Sequence, residues 1–328
     1  MLAVVGAGSW GKNHVRSFAE LGALSAVCDT DEAALENVRG TYPGVRTGTD
    51  LERVLADPEI KAVVLATPAA QHYAGAKAAL ASGKHVLVEK PMTLRAEEAE
   101  ELNRLALGAG LVLMVGHILE YHPAVRKLRE LTAAGELGKL AYLYSHRLNL
   151  GRIRTEESVW WDLGPHDVSL ILELLGESPE WVQATGQAQV TPGVADVVVA
   201  CLGFAGGARA HIFVSRVHPF KEQRLVVVGT DKMAVFDDVV SEGKLKVYPS
   251  HITGDDQLPA ATGGEPEVVP IDAGEPLRAE CEHFLECIED GSQPLTGGES
   301  GVQVTRVLEA CQRSLDQHGA RVRLAEPH

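Results

Sequence analysis

Basic residues are in short supply relative to acidic ones in this chain. Its 328 residues carry 30 Lys and Arg against 45 Asp and Glu, a formal charge of −15, which argues against a broad nucleic-acid-binding face. Long apolar runs are missing too. No stretch approaches the roughly 20 residues needed to span a bilayer, and Leu2–Val5 run into a glycine turn without the basic start of a secretory signal. The five cysteines (Cys28, Cys201, Cys281, Cys287, Cys311) form no Cys-x-x-Cys pair and no zinc spacing. They read as buried thiols of a reduced compartment, so a cytoplasmic protein without a metal site is expected. There are no internal repeats and no low-complexity tract.

What is present is an ordinary globular composition, 45% hydrophobic and 23% charged, with length enough for two domains. Leu2–Val5 read as a strand, and Gly6-Ala7-Gly8-Ser9-Trp10-Gly11 follows directly. A lone G-x-G-x-x-G is weak evidence. Between a strand and a helical stretch (residues 12–21) it has the context of a dinucleotide-binding turn. Gly6 permits the turn, Gly8 lets the backbone approach a pyrophosphate, and Gly11 lets helix pack on strand. Ser9 and Trp10 are expected beside the same cofactor, and the helix N-terminus offers its free N–H groups to phosphate. The next strand, Leu24–Cys28, ends in Asp29, 21 residues after Gly8. A carboxylate there can accept from both adenosine ribose hydroxyls and repels a 2′-phosphate, favouring NAD over NADP. The competing reading makes Asp29 a cap for a helix over 31–39.

The alternation continues. Asp50 caps a short helix, residues 62–66 form a buried strand closed by Thr67-Pro68, and a helix over 71–82 contains His72. Val86-Leu87-Val88 read as another buried strand, stopped by Pro91, which has no N–H to donate. Glu89 and Lys90 therefore stand at its carboxyl end, where open parallel sheets bind ligands. A lysine there can aim an ammonium at substrate while Glu89 offsets its charge; a solvated ion pair is the plain alternative. With a helix over 96–109 and a strand over 111–115, strands and helices alternate as in a parallel sheet built from right-handed crossovers. Gly8, Asp29, Thr67 and Lys90 all follow strands, and with the adjoining Pro68, His72 and Glu89 they are expected to line the cofactor site.

After Gly116-His117 the pattern changes. Pro123 starts a helix that Gly135 ends, and a strand over 140–148 follows. Then comes Trp160-Trp161-Asp162-Leu163-Gly164-Pro165-His166-Asp167, with a helix expected over 168–175. Strands over 181–189, 197–204, 208–214, 224–228, 233–236 and 244–247 suggest an antiparallel meander. Residues 249–275 read as a surface loop, and two amphipathic helices close the chain. Asp162 and His166 are separated by a Gly-Pro expected to interrupt the helix, so their side chains converge only if the turn folds them together. At a helix start the dipole would favour a neutral imidazole, the state a general base for alcohol oxidation needs. An ordinary helix cap beside an inconsequential histidine explains the spacing equally well.

Together these motifs resemble the Gfo/Idh/MocA oxidoreductases. Gly6/Gly8/Gly11, Asp29, Glu89-Lys90-Pro91 and Asp162-x-Gly164-x-His166 carry the likeness, with Val228-Gly229-Thr230, Gly291-x-x-Pro294 and Gly298-Glu299 in the second half. The resemblance implies an α/β protein. Residues 1–117 would form a Rossmann doubly wound parallel sheet, and residues 118–328 an α+β substrate domain with a large open, mainly antiparallel sheet. That sheet would join copies into a dimer or tetramer. The resemblance also implies that Lys90 contacts the reacting hydroxyl and the nicotinamide ribose, Asp162 orients substrate and His166 exchanges the proton. Members often carry a second Asp three residues after the histidine, where this chain has Ser169; Asp167 directly follows His166 instead.

Arg147, Arg152 and Arg154 cluster in an otherwise acidic chain, and guanidinium groups bind phosphate or carboxylate bidentately. An anionic substrate follows from that reading, a solvated loop from the other. The stretch around them, including Asn149, resembles family members that oxidise the 3-hydroxyl of UDP-N-acetylglucosamine-type sugars, and Tyr121 and His122 fall where the family places further substrate contacts. A UDP-N-acetylhexosamine is therefore expected, with its uronate or a free polyol such as myo-inositol as rivals. An NAD-requiring glycosidase and a non-catalytic NAD sensor are the alternatives of other classes.

Overall fold

Short apolar runs make the strands of the first sheet: β1 (Leu2–Val5), β2 (Leu24–Cys28), β4 (Ala62–Leu65), β5 (His85–Glu89) and β6 (Leu113–Gly116), with β3 (Arg46–Gly48) at the edge. β1 and β4 are buried at every position, as strands covered on both faces must be, so they show no polar alternation. The order is β3-β2-β1-β4-β5-β6, all parallel. It reverses between β1 and β4, which puts the ligand crevice outside the carboxyl ends of those strands. Helices α1 (Gly11–Glu20), α2 (Glu32–Thr41), α3 (Leu51–Ala56), α4 (His72–Ala81) and α5 (Ala96–Ala109) connect them. Asp50 caps α3, as its sequence suggests, and Asp31 caps α2.

The computed structural model describes residues 1–151, 153–249, 251–253 and 260–324. The chain does not divide at one point. One unit holds Met1–Tyr121 and Glu275–Thr305, the other His122–Gly274 and Arg306–His328. The return has a physical cause. Helix α8 (Pro276–Asp290) buries Leu277, Cys281, Phe284 and Cys287 in the same core as Leu2, Val4, Phe18 and Val27. Each large apolar side chain so buried contributes about 1.5–3 kcal/mol. Val302, on α9 (Gly298–Asp316), joins the core on the sheet's other face with Met92 and Val115.

The second unit contains α6 (Pro123–Ala133), β7 (Leu140–Leu150), α7 (Val159–Leu175), β8 (Trp181–Gln187), β9 (Val197–Gly203), β10 (Arg209–Ser215), β11 (Val217–Gly229), β12 (Met233–Asp237) and β13 (Leu245–Tyr248). Two short strands, β14 (His251–Thr253) and β15 (Ala260–Thr262), pair with each other inside the expected loop, and β16 (Glu267–Val268) and β17 (Val322–Arg323) edge the main sheet. Its order is β16-β13-β12-β11-β7-β10-β9-β8-β17. This corrects the simple meander: β7 is inserted between β10 and β11, parallel to the first and antiparallel to the second. Among the described residues no helix is long and apolar enough to cross a membrane.

The other correction concerns α7, which runs unbroken through Pro165. Proline removes one helical hydrogen bond, but Val159, Trp160, Val168, Leu170, Ile171 and Leu174 are all buried along this helix, and that burial outweighs the loss. Gly164 serves the same packing, since a Cβ there would lie 2.9 Å from the Trp160 ring. His166 is consequently mid-helix rather than at a helix start, which removes the dipole argument for its neutrality.

Candidate active site

In the first unit, the three glycines have different physical reasons. A Cβ on Gly6, whose φ is +91°, would come within 2.6 Å of the Ala66 carbonyl oxygen. One on Gly11 would come within 1.9 Å of the Gly6 oxygen. Both are demanded by the protein's own backbone. Gly8 has nothing within 4 Å of that position, so the fold itself does not require glycine there. The open approach fits a pyrophosphate against the N-terminus of α1. Asp29 closes the loop from β2: its carboxylate accepts from the Ala7 N–H at 2.5 Å and the Asp31 N–H at 2.8 Å. It is half-buried beside the glycine turn, which leaves it placed for a ribose while Asp31 does the capping. Ser9 and Trp10 are exposed.

Glu89 lies beneath this loop rather than in solvent. Its carboxylate accepts from the Trp10 indole N–H, contacts His14 Nε2 at 2.6 Å, and accepts from the Lys90 amide at 3.2 Å. Burial pushes its carboxyl up, but the hydrogen bond and charge of His14, with Lys90 and Trp10, hold it below the usual carboxylate range. Gly116 fits against the same group, since a Cβ there would stand 3.1 Å from the Glu89 carboxylate. Glu89 therefore ties the start of α1 to the strand end that carries Lys90. His14 was not flagged by the sequence motifs; its place on the buried side of α1, after the glycine loop, was the available signal.

His72 joins two strand-end loops. Its ring nitrogens lie 2.8 Å from the Pro91 carbonyl and 2.9 Å from that of Thr67, so the ring spans the two loops. Pro68 leads into the turn Ala69–Gln71 that precedes α4. His117, directly after β6, is buried, and burial lowers its pKa to about 4, with Glu89 opposing and Lys90 assisting the shift. Tyr121 is buried as well, its hydroxyl 3.2 Å from Thr296 Oγ1, and burial pushes its pKa up.

In the second unit, α7 carries Asp162 and His166 one helical turn apart, on one face. Arg154 meets the Asp162 carboxylate at 3.1 Å and Glu157 at 2.9 Å. Arg216, which motif reading missed, approaches Asp162 from the junction of β10 and β11 at 3.9 Å. It is 2% exposed, and burial lowers its pKa against the opposing pull of Asp162 and Asp196. Its only sequence signal was a lone arginine after an apolar strand.

Arg147 is not available to a ligand in the way its surface-cluster reading assumed. It reaches the Asp167 carboxylate through Nε at 3.0 Å and a terminal nitrogen at 2.9 Å, and Ser145 Oγ donates to the same carboxylate at 2.6 Å. Asp167 thus serves Arg147 and Ser145. Arg147 is buried within β7, whereas Asn149, two residues on and near the strand's end, is half-exposed. Arg152 lies outside the described residues. His122 caps α6 by accepting from the Ala124 N–H at 3.1 Å, and its other nitrogen lies 3.4 Å from Asp238.

Comparison with known proteins agrees with this architecture. Residues 1–117 match the model described as the oxidoreductase family, NAD-binding Rossmann fold, and residues 125–235 match the GFO/IDH/MocA C-terminal domain. The UDP-N-acetylglucosamine 3-dehydrogenase of Acidithiobacillus ferrooxidans is 33% identical over 307 residues, 92% of each chain. Its solved structure superposes with a TM-score of 0.85 over 97% of each chain, at 30% identity. The scyllo-inositol 2-dehydrogenase (NAD(+)) of Bacillus subtilis is 26% identical over 89% of this chain and 87% of its own. The structure of GenD2 from gentamicin A biosynthesis, solved with NAD, aligns at a TM-score of 0.84 and 26% identity over 99% of this chain and 96% of that one.

Proposed function

Since the chain belongs to the Gfo/Idh/MocA oxidoreductase family and is an NAD-binding oxidoreductase of sugar type, we propose that its substrate is a UDP-linked N-acetylhexosamine, oxidised at C3 to the keto sugar. The observation that carries this reading is the full-length similarity to a UDP-N-acetylglucosamine 3-dehydrogenase, 33% identity over 92% of both chains. The uronate and free myo-inositol rank behind it, the latter because the relative acting on an inositol is 26% identical. The arginine cluster now lends less support than its sequence suggests, because Arg147 is committed to Asp167 and Arg154 to Asp162 and Glu157.

Bound NAD supplies the hydride acceptor. Gly6, Gly8, Gly11 and the N-terminus of α1 hold its pyrophosphate, with Asp29 at the ribose. Lys90, at the end of β5, holds the reacting hydroxyl through its ammonium, lowering that group's affinity for its proton. His166 accepts the proton, and Asp162, one turn earlier on α7, orients the sugar. Remote binding of the nucleotide holds the reacting carbon in place. The open sheet of the second unit joins copies of the chain into an oligomer.

The test is NADH formation with UDP-N-acetylglucosamine, its uronate and myo-inositol at equal concentration. Oxidation of the first, with a keto group at C3 by NMR, supports the reading. Oxidation of the free polyol alone ends it, and release of a free sugar without net NADH assigns the glycosidase class instead.

A further inference from the structure

Behind the glycine loop, three titratable side chains of the first unit converge with no bulk water around them. A ring nitrogen of His14 and one oxygen each of Glu89 and Glu280 lie within 4.8 Å of one another, and all three residues are buried. Two of the three are satisfied: His14 and Glu89 meet directly, and Glu89 also accepts from Trp10 and the Lys90 amide. Glu280, on α8, is different. It is 0% exposed, and neither carboxylate oxygen has a hydrogen-bond partner among the described residues.

We propose that Glu280 is a positioning residue for the cofactor half of the site, held as a neutral acid so that Glu89 remains the one charged carboxylate between Trp10, His14 and the Lys90 amide. A buried ionised carboxylate with no donor is a state that proteins escape by taking up a proton. The groups facing Glu280 point the same way. From α1 there is His14, already turned to Glu89; from the end of β5 there is Glu89, on which Lys90 also acts. From the turn Ile118–Tyr121 there is Tyr121, its hydroxyl on Thr296, and from its own helix Cys281, whose thiol burial pushes up. Burial first, then the Glu89 charge, raises the Glu280 carboxyl well above the usual range.

The consequence reaches the cofactor. Ionising Glu280 sets a second negative charge against Glu89 and draws His14 between the two acids. The Trp10–Glu89 bond at the start of α1 then loses its fixed acceptor, and the phosphate-binding segment loosens. NAD affinity should therefore weaken on the alkaline side, whatever the sugar substrate is.

Glu280→Gln, isosteric and unable to ionise, tests this. A carboxyl whose folded pKa is raised gives stability that is present below its ordinary value of 4.5 and lost as pH rises toward the folded value. Thermal unfolding should show the variant level with the wild type near pH 4 and more stable at about pH 8. NAD affinity, followed by tryptophan fluorescence, should fall several-fold between neutral and alkaline pH in the wild type and stay flat in the variant. Equal destabilisation of the variant at both pH values would overturn the proposal. So would a stoichiometric divalent metal in the purified wild type that the variant lacks, since a cation and not a proton would then balance the acids. If the variant does not fold, infrared spectra of the wild type decide: a buried carboxylic-acid carbonyl stretch persisting at neutral pH supports the proposal, and its absence overturns it.

Discussion

Asp167 and Arg147 form a two-pronged ion pair inside the second unit, at 2.9 and 3.0 Å, with the aspartate wholly buried. Removing one partner leaves the other as an uncompensated buried charge. Arg147→Ala should lower unfolding free energy by about 3–5 kcal/mol, and Arg147→Met combined with Asp167→Leu should recover much of it. Urea denaturation measures both. Unchanged stability with a raised KM would instead make Arg147 a substrate contact.

Gly8 and Gly11 should separate binding from folding. A methyl at Gly8 meets nothing within 4 Å, whereas one at Gly11 meets the Gly6 oxygen at 1.9 Å. Gly8→Ala should keep its stability within about 0.5 kcal/mol and lose at least roughly tenfold in NAD affinity, about 1.4 kcal/mol. Gly11→Ala should fail in a thermal melt before any ligand is added.

Asp29→Ser should narrow the preference for NAD over NADP, because the carboxylate that repels a 2′-phosphate is gone. It also removes the acceptor for the Ala7 N–H, so affinity for both cofactors should drop somewhat. Fluorescence titration of the two cofactors gives the ratio; a ratio equal to wild type would mean discrimination resides elsewhere.

Lys90→Ala and His166→Ala should each lower kcat by about 10²-fold or more, the scale of a lost acid–base group, while NAD still binds. Steady-state kinetics beside cofactor titration make the check. Near wild-type turnover in His166→Ala would send the proton by another route.

His117 gives a pH signature. Its folded pKa, about 4 against 6.5 in the unfolded chain, means the unfolded state binds the proton first. Stability is therefore full above about 6.5 and is lost as pH falls toward 4. Between neutral pH and pH 4 the wild type should lose about 3 kcal/mol more than His117→Asn, from 1.36 kcal/mol per pKa unit. Parallel curves for the two proteins would show that His117 is not held neutral.

The legible parts of this chain are those governed by local rules. Val63, Val64, Val86 and Leu87 stand in parallel strands covered on both faces, so their runs are continuously apolar and easily read. Gly11 answers to the Gly6 backbone just before it, and Gly6 to its own positive φ, although its close contact, the Ala66 oxygen, comes from a distant strand end. The course of α7 was hidden because tertiary burial overrode the local effect of Pro165. The insertion of β7 between β10 and β11 is a long-range pairing that leaves no local mark. The pairing of Arg147 was hidden for a similar reason: its partner, Asp167, lies 20 residues on. The apolar stripe of α8 announced that it is buried, not what it is buried against.

The late return of α8 also bears on synthesis. The first unit lacks Leu277, Cys281 and Phe284 until the ribosome has passed Glu275, although its strands are finished by Gly116. At about 5–20 residues per second the nascent sheet waits on the order of ten seconds with one face covered only in part, by α1 and α2. During that interval the emerging polypeptide is a natural client for holdase chaperones. An expression fragment ending at Tyr121 would remain in that condition permanently.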